Sequence, residues 1–200
     1  MTIRAVFFDL GGVIVRTEKP EPRTRLADNL GMSNSDLYKL VFENDSSRQA
    51  SLGLISEEQH WLNITRSLGQ QESRVEYLYR EFFAGDQVDP RLVELIRSLR
   101  HDYKLGVISN AWSGMRAWME NNDLADAFDD MVFSAEVGFA KPDPHIYLKA
   151  LENLNILPAE SIFVDDTLKN VEAARIIGMH AIHFTHPDQA IAELRTLLAA

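Results

Sequence analysis

The sequence predicts an α/β protein in which a parallel sheet carries an all-helical insertion after its first strand. Three observations support this. Five short segments rich in Val, Ile or Phe read as buried strands, most of them apolar at consecutive positions, as expected where helices cover both faces of a sheet. Helical patterns separate the later strands, and such alternation builds parallel sheets with right-handed crossovers. From about residue 17 to residue 88 the alternation stops and no convincing strand is found.

The first strand, Ile3 to Phe8, runs into Asp9 and then Gly11 and Gly12, in "VFFDLGGVIV". In the insertion, "SNSDLYKLVFEN", "SEEQHWLNITRSLG" and "ESRVEYLYREFFAG" read as helices, and Ser56 with Gln59 has the spacing of a capping box. Tyr77, Leu78, Glu81 and Phe82 fit the core face and solvent edge of the last of these, and Gly85 marks the exit. The core resumes at "DPRLVELIRSLR", with Asp89 as N-cap, Pro90 in the first turn and Leu92, Leu95, Ile96 and Leu99 on one face. Lys104 to Ser109 and Met131 to Ser134 read as the second and third strands. "DPHIYLKALENL" repeats the Asp-Pro start at Asp143 and Pro144. Ser161 to Val164 is the fourth strand, "LKNVEAARIIG" is a helix stopped at Gly178, and His180 to Phe184 is the fifth strand. This divides the chain into a core of residues 1–16 and 89–200 and a helical cap of residues 17–88. Ligands bind outside the carboxyl ends of strands in such sheets, so the cap lies over the ligand crevice.

Composition narrows the functions. The 200 residues, 46% hydrophobic, suffice for one core with an inserted subdomain. A net charge of -10 with no basic run argues against nucleic acid. The absence of cysteine excludes disulfides and Cys-ligated metals. No stretch approaches a membrane span, the N-terminal apolar run is too short for a signal peptide, and a cytoplasmic protein is expected. Oligomeric state is not readable.

The polar residues at the strand ends are the candidate site. Asp9 ends the first strand, Ser109 and Asn110 the second ("VISNA"), and Asp165 and Asp166 the fourth ("FVDDT"); Lys141 follows the third in "GFAKPDP". Carboxylates crowded together cannot all ionise unaided. A hard divalent cation resolves that conflict, and Mg²⁺ takes one or two carboxylates plus water and phosphate oxygens. Lys141 adds a second positive point, and Ser109 with nearby backbone amides supplies donors. The set reads as a phosphate site beside a metal, with Asp9 facing phosphorus as a nucleophile that splits a hard hydrolysis into two steps. Gly11 and Gly12 let the backbone turn tightly and approach the ligand.

These four motifs, in this order and spacing, resemble those of the haloacid dehalogenase-like (HAD) superfamily, whose core is a Rossmann-like parallel sheet. The resemblance covers nearly the whole chain, and the insertion resembles that superfamily's small helical cap. It implies that Asp9 is the nucleophile, that Ser109 and Asn110 bind substrate, and that Lys141 balances the charge of nucleophile and phosphoryl group. It implies Mg²⁺ held by Asp9, the Gly11 carbonyl and Asp166, with Asp165 beside them directly or through water. The implied activity is Mg²⁺-dependent hydrolysis of a small phosphorylated metabolite. Phosphatases of the superfamily usually carry a second aspartate two residues after the nucleophile, as acid and base; here that position is Gly11. Some of its sugar-phosphate phosphatases are similar in having "DLG" followed by Asn or Gly. Glu18, His60, the substrate or water are the candidates for the missing group.

Other readings follow from the same residues. A metal-independent 2-haloacid dehalogenase would use the same aspartate, but such enzymes typically show Ser and Asn where Asp165 and Asp166 stand. A catalytically impaired binding module would explain Gly11 but not the other retained groups. His180, His183 and His186 stand on or just after a strand, where residues three apart point to opposite faces, against a shared zinc. Trp112 fits either a pocket wall or helix packing. Arg23, Arg25 and Arg48 read as a solvated face rather than substrate clamps.

Overall fold

The computed structural model describes residues 2–199. Its core is one five-stranded parallel sheet, made of β1 (Ala5–Phe8), β4 (Lys104–Ser109), β5 (Asp130–Phe133), β6 (Ser161–Asp165) and β7 (His180–His183), in the order β5-β4-β1-β6-β7. β1 is the middle strand. Phe8 pairs with Val107 on one side and Val164 on the other, so the ends of β1, β4 and β6 lie side by side.

Alternation along β1 divides the core between two faces. Val6 and Phe8 join a cluster with Leu92 and Ile96 of α6 (Pro90–Leu99), Met119 of α7 (Met115–Asn121) and Leu194 of α11 (Pro187–Leu198). Ala5 and Phe7 join the opposite cluster, with Ile146, Tyr147 and Ala150 of α9 (Pro144–Leu154) and Ala174 of α10 (Leu168–Ile176). The short α8 (Ser134–Val137) follows β5 directly. Asp89 caps α6 by accepting from the amides of Arg91 and Leu92, and Asp143 caps α9 by accepting from that of His145.

The insertion holds α1 (Glu21–Asn29), α2 (Asn34–Phe42), α3 (Asp45–Ser51), α4 (Glu57–Ser67) and α5 (Val75–Phe83). Leu26, Leu37, Val41, Ala50, Trp61, Ile64, Leu78 and Phe82 form its own apolar cluster. Ser56 accepts from the Gln59 amide at the start of α4, but Gln59 turns to Asn63, so only half the capping box forms.

Contrary to the expectation of a strand-free insertion, β2 (Val15–Thr17) and β3 (Asp86–Val88) pair antiparallel and form a neck between insertion and core. Three-residue strands carry too little periodicity to be read from sequence. Arg16 fixes this neck. Its guanidinium donates to the Val13 carbonyl (2.7 Å), to Glu18 (2.7 Å) and to Asp89 (2.8 Å), and lies over the Phe184 ring. The insertion also rests on the core. The Glu57 amide donates to Ser113 Oγ (2.9 Å), and Trp112, which follows β4, sits in the insertion's apolar cluster.

Candidate active site

Asp9 stands at the carboxyl end of the central strand, where its backbone N–H still donates to Val164 (2.8 Å). Its Oδ1 accepts from the Leu10 amide at 2.7 Å, and its Oδ2 lies 2.8 Å from Lys141 Nζ. Ser109, the last residue of β4, stands beside the same carboxylate and helps hold its pKa down. Lys141 comes from the loop before α9, and its Nζ also donates to Asp165 Oδ2 at 2.7 Å. The Lys141 side chain is 1% exposed. A buried ammonium is tolerable only when paired and hydrogen-bonded, and two carboxylates meet that need.

Asp165 is fully buried and serves as the anchor for Lys141. It also accepts from the Thr167 amide (2.7 Å) and from Asn170 Nδ2 (3.1 and 3.2 Å). Sequence reasoning missed Asn170; the signal was an Asn five residues after the buried aspartate, in the first turn of the following helix. Asn110, expected to bind substrate, also holds the loop that carries Lys141. Its Nδ2 donates to the Lys141 carbonyl (2.9 Å) and its Oδ1 accepts from the Lys141 amide (2.6 Å). The carboxamide matches a peptide unit at both ends, so Asn110 positions the lysine.

The site is short of positive charge. Burial pushes the Asp9 carboxyl up to about 7 despite Lys141, and the neighbouring Asp165 adds to the rise. Burial and the charge of Asp165 also raise Asp166. Asp9, Asp165 and Asp166 each bring a carboxylate oxygen within 4.8 Å of the others, the one such group of potential metal ligands among the described residues. Three crowded acids with one ammonium fit a divalent cation.

The two glycines of the first turn differ, contrary to the shared role expected of them. Gly12 has φ +80°, and a Cβ there would stand 2.1 Å from Asp166 Oδ2, so the missing side chain is what admits the acid. Gly11 lies outside the positive-φ region, and a Cβ on it meets nothing within 4 Å.

Each candidate acid/base side chain has partners of its own. His60 is buried inside the insertion, with Nδ1 on Ser46 (2.9 Å) and Nε2 donating to the Val41 carbonyl (3.0 Å). Burial lowers its pKa, so it is a neutral packing residue against Trp112. Glu18 is held by Arg16. The histidines near the last strand form no ligand set: His180 is exposed, His183 donates to the Asp166 carbonyl (2.9 Å), and His186 caps α11. Arg23 bonds Asp86 and the Phe82 carbonyl, Arg48 pairs with Asp45, and Arg25 is exposed.

A family model described as haloacid dehalogenase-like hydrolase matches residues 3–178, and the chain belongs to that family of enzymes. It is 28% identical, over 98% of its length and 97% of the relative's, to sesquiterpene phosphatase astK of Aspergillus oryzae. It is 29% identical to a phosphorylated carbohydrates phosphatase of Thermotoga maritima, covering 90% of this chain and 84% of that one. Among solved structures, a HAD family enzyme of Bacteroides thetaiotaomicron, crystallised with magnesium and inorganic phosphate, matches with a TM-score of 0.74 at 22% identity, covering 90% of this chain and 93% of that one. No helix among the described residues is long and apolar enough to cross a membrane.

Proposed function

We propose that this chain is a Mg²⁺-dependent phosphatase that hydrolyses small phosphomonoesters through an aspartyl-phosphate on Asp9. The observation that carries the reading is the single buried ammonium of Lys141, 2.8 Å from Asp9 and 2.7 Å from Asp165, with Asp166 completing a three-acid cluster. The phosphatase names of full-length relatives support it. Paired acids at 165 and 166 favour it over dehalogenation, which needs no metal.

Asp9, Asp166 and the Gly11 carbonyl, with Asp165 beside them, would hold Mg²⁺. When bound, it supplies positive charge next to the transferring phosphoryl oxygens. Lys141 neutralises the nucleophile and steadies the phosphoryl group, Ser109 donates to a phosphoryl oxygen, and Asp165, Asn170 and Asn110 keep Lys141 in place. In the first step an Asp9 oxygen bonds to phosphorus and the ester P–O bond breaks. Gly11 presents no acid, so the departing alkoxide takes a proton from water and leaves hydroxide. In the second step hydroxide bonds to phosphorus, the P–O(Asp9) bond breaks, and phosphate and the free carboxylate return. Residues 17–88 act as a cap that closes over this site and excludes bulk water.

The test is phosphate release from p-nitrophenyl phosphate, and halide release from 2-chloropropionate, each with Mg²⁺ and with chelator. Phosphate release that disappears with chelator is expected. Halide release insensitive to chelator, with no phosphatase activity, would overturn the reading.

A further inference from the structure

We propose that the site selects monophosphate esters of apolar alcohols, and that Tyr38, Phe42 and Trp112 form the wall that receives the carbon chain. The proposal rests on the phosphatase reading above. Three aromatic rings run in contact from the segment after β4 onto the cap. Trp112 follows Ser109 by three residues. Phe42, on α2, stacks on Trp112 with ring centres 5.5 Å apart and planes at 22°. Tyr38, one turn earlier, packs on Phe42 at 4.9 Å. Burial, and after it the charge of Asp166, raises the Tyr38 phenol.

These rings are not fully used in holding the cap together. Tyr38 is 45% and Phe42 36% exposed, whereas Trp112 is 8% exposed and Phe82 behind Phe42 is wholly buried. Large aromatic faces left open beside a charged site are costly unless a ligand covers them. A polyol leaving group would need several hydrogen-bonding partners here. The three rings offer one phenol, and nearby Arg23 is spent on Asp86 and the Phe82 carbonyl. An alkyl, prenyl or benzyl group needs only the rings. Each methylene buried against them is worth roughly fourfold in affinity.

The test is kcat/KM for ethyl, butyl and octyl phosphate, benzyl phosphate, glycerol 3-phosphate and p-nitrophenyl phosphate, with inhibition of p-nitrophenyl phosphate turnover by ethyl and octyl phosphonate. A rise of at least tenfold from ethyl to octyl phosphate is expected, with octyl and benzyl phosphate above glycerol 3-phosphate and octyl phosphonate the stronger inhibitor. Tyr38→Ser, at a half-exposed position, is expected to cut the octyl-to-ethyl ratio at least threefold. Phe42→Leu, which keeps apolar bulk but removes the ring, is expected to lower the benzyl ester most. Turnover of p-nitrophenyl phosphate with a flat alkyl series, or with glycerol 3-phosphate preferred, overturns this inference and leaves the phosphatase reading standing. No phosphate release from any ester overturns both.

Discussion

Placing a carboxylate at position 11 tests whether this site works without a built-in acid/base. The backbone permits it: Gly11 is exposed, is not at positive φ, and a Cβ there meets no atom within 4 Å. Replacing a glycine at such a compatible position tends to stabilise by about 0.4–1 kcal/mol through the unfolded chain, so Gly11→Asp is expected to fold. A positioned acid/base contributes ~10²–10⁴-fold. At 1.36 kcal/mol per tenfold, that is roughly 3–5 kcal/mol of barrier. The gain belongs to steps that move a proton: alkoxide departure from alkyl esters, and water attack on the aspartyl-phosphate. An aryl ester leaves with little protonation, so its first step gains least. The assay is rapid-quench single-turnover kinetics on octyl and p-nitrophenyl phosphate, following both phosphoenzyme and free phosphate. Wild type is expected to be slow on the alkyl ester and to accumulate phosphoenzyme from the aryl ester; Gly11→Asp is expected to speed both phosphate-yielding steps by at least tenfold. A folded Gly11→Asp with no gain on either substrate, beside a wild type already fast on octyl phosphate, would refute the reasoning. Gly12→Ala is the contrasting control, because its Cβ would strike Asp166 and its φ is left-handed; weaker Mg²⁺ binding and lost activity are expected.

Asp9→Asn is expected to abolish turnover with the fold intact by circular dichroism; activity within tenfold of wild type would remove Asp9 from the chemistry. Asp166→Ala is expected to raise the Mg²⁺ concentration for half activity, read from a metal titration. Because the Asp9 carboxyl sits near 7 in the metal-free fold against 3.8 ordinarily, the folded state binds more protons than the unfolded chain between those values. The contribution of this group to stability therefore falls as pH rises from about 4 to about 7, and Mg²⁺ binding near pH 7 releases protons. Calorimetry in two buffers of different ionisation enthalpy measures that release; identical heats would count against it. Arg16→Gln leaves the buried Asp89 without its guanidinium partner and is expected to cost roughly 1–3 kcal/mol. Thermal unfolding would record a fall of roughly 2–12 °C.

The sheet was legible, with strand limits within two residues, because buried parallel strands are short runs of consecutive apolar residues. Lys104–Ser109 matched end to end, and the Asp-Pro helix starts behaved as caps. The convergence of Asp9, Ser109, Asp165 and Asp166 followed from their places at or next to strand ends, with Lys141 reaching them from the loop before α9. What the sequence hid was the direction in which each polar group faces. The Asn110 carboxamide clasps the Lys141 backbone; that pairing spans 31 residues and leaves no local pattern. His60 looked like a free base, but a histidine on a helix turns inward when both ring nitrogens find partners there. α1, α3 and α7 have an apolar periodicity too short or too broken by charge to read, whereas α11 keeps Ala190, Leu194 and Leu198 at helical spacing.

The central position of β1 has a consequence for how the molecule assembles. Ala5 pairs with Lys104 on one side and with Ser161 on the other, so the strand that leads into Asp9 precedes both neighbours by long stretches of chain. Closing such distant pairings is slow and leaves hydrophobic strand edges bare while it happens. The insertion, whose helices make local contacts, is expected to gain structure first and to tether the two ends of the neck while the sheet is still incomplete. Chaperone dependence and aggregation during refolding would then track the sheet, and a variant that weakens β6 would fail before it ever formed a site to assay.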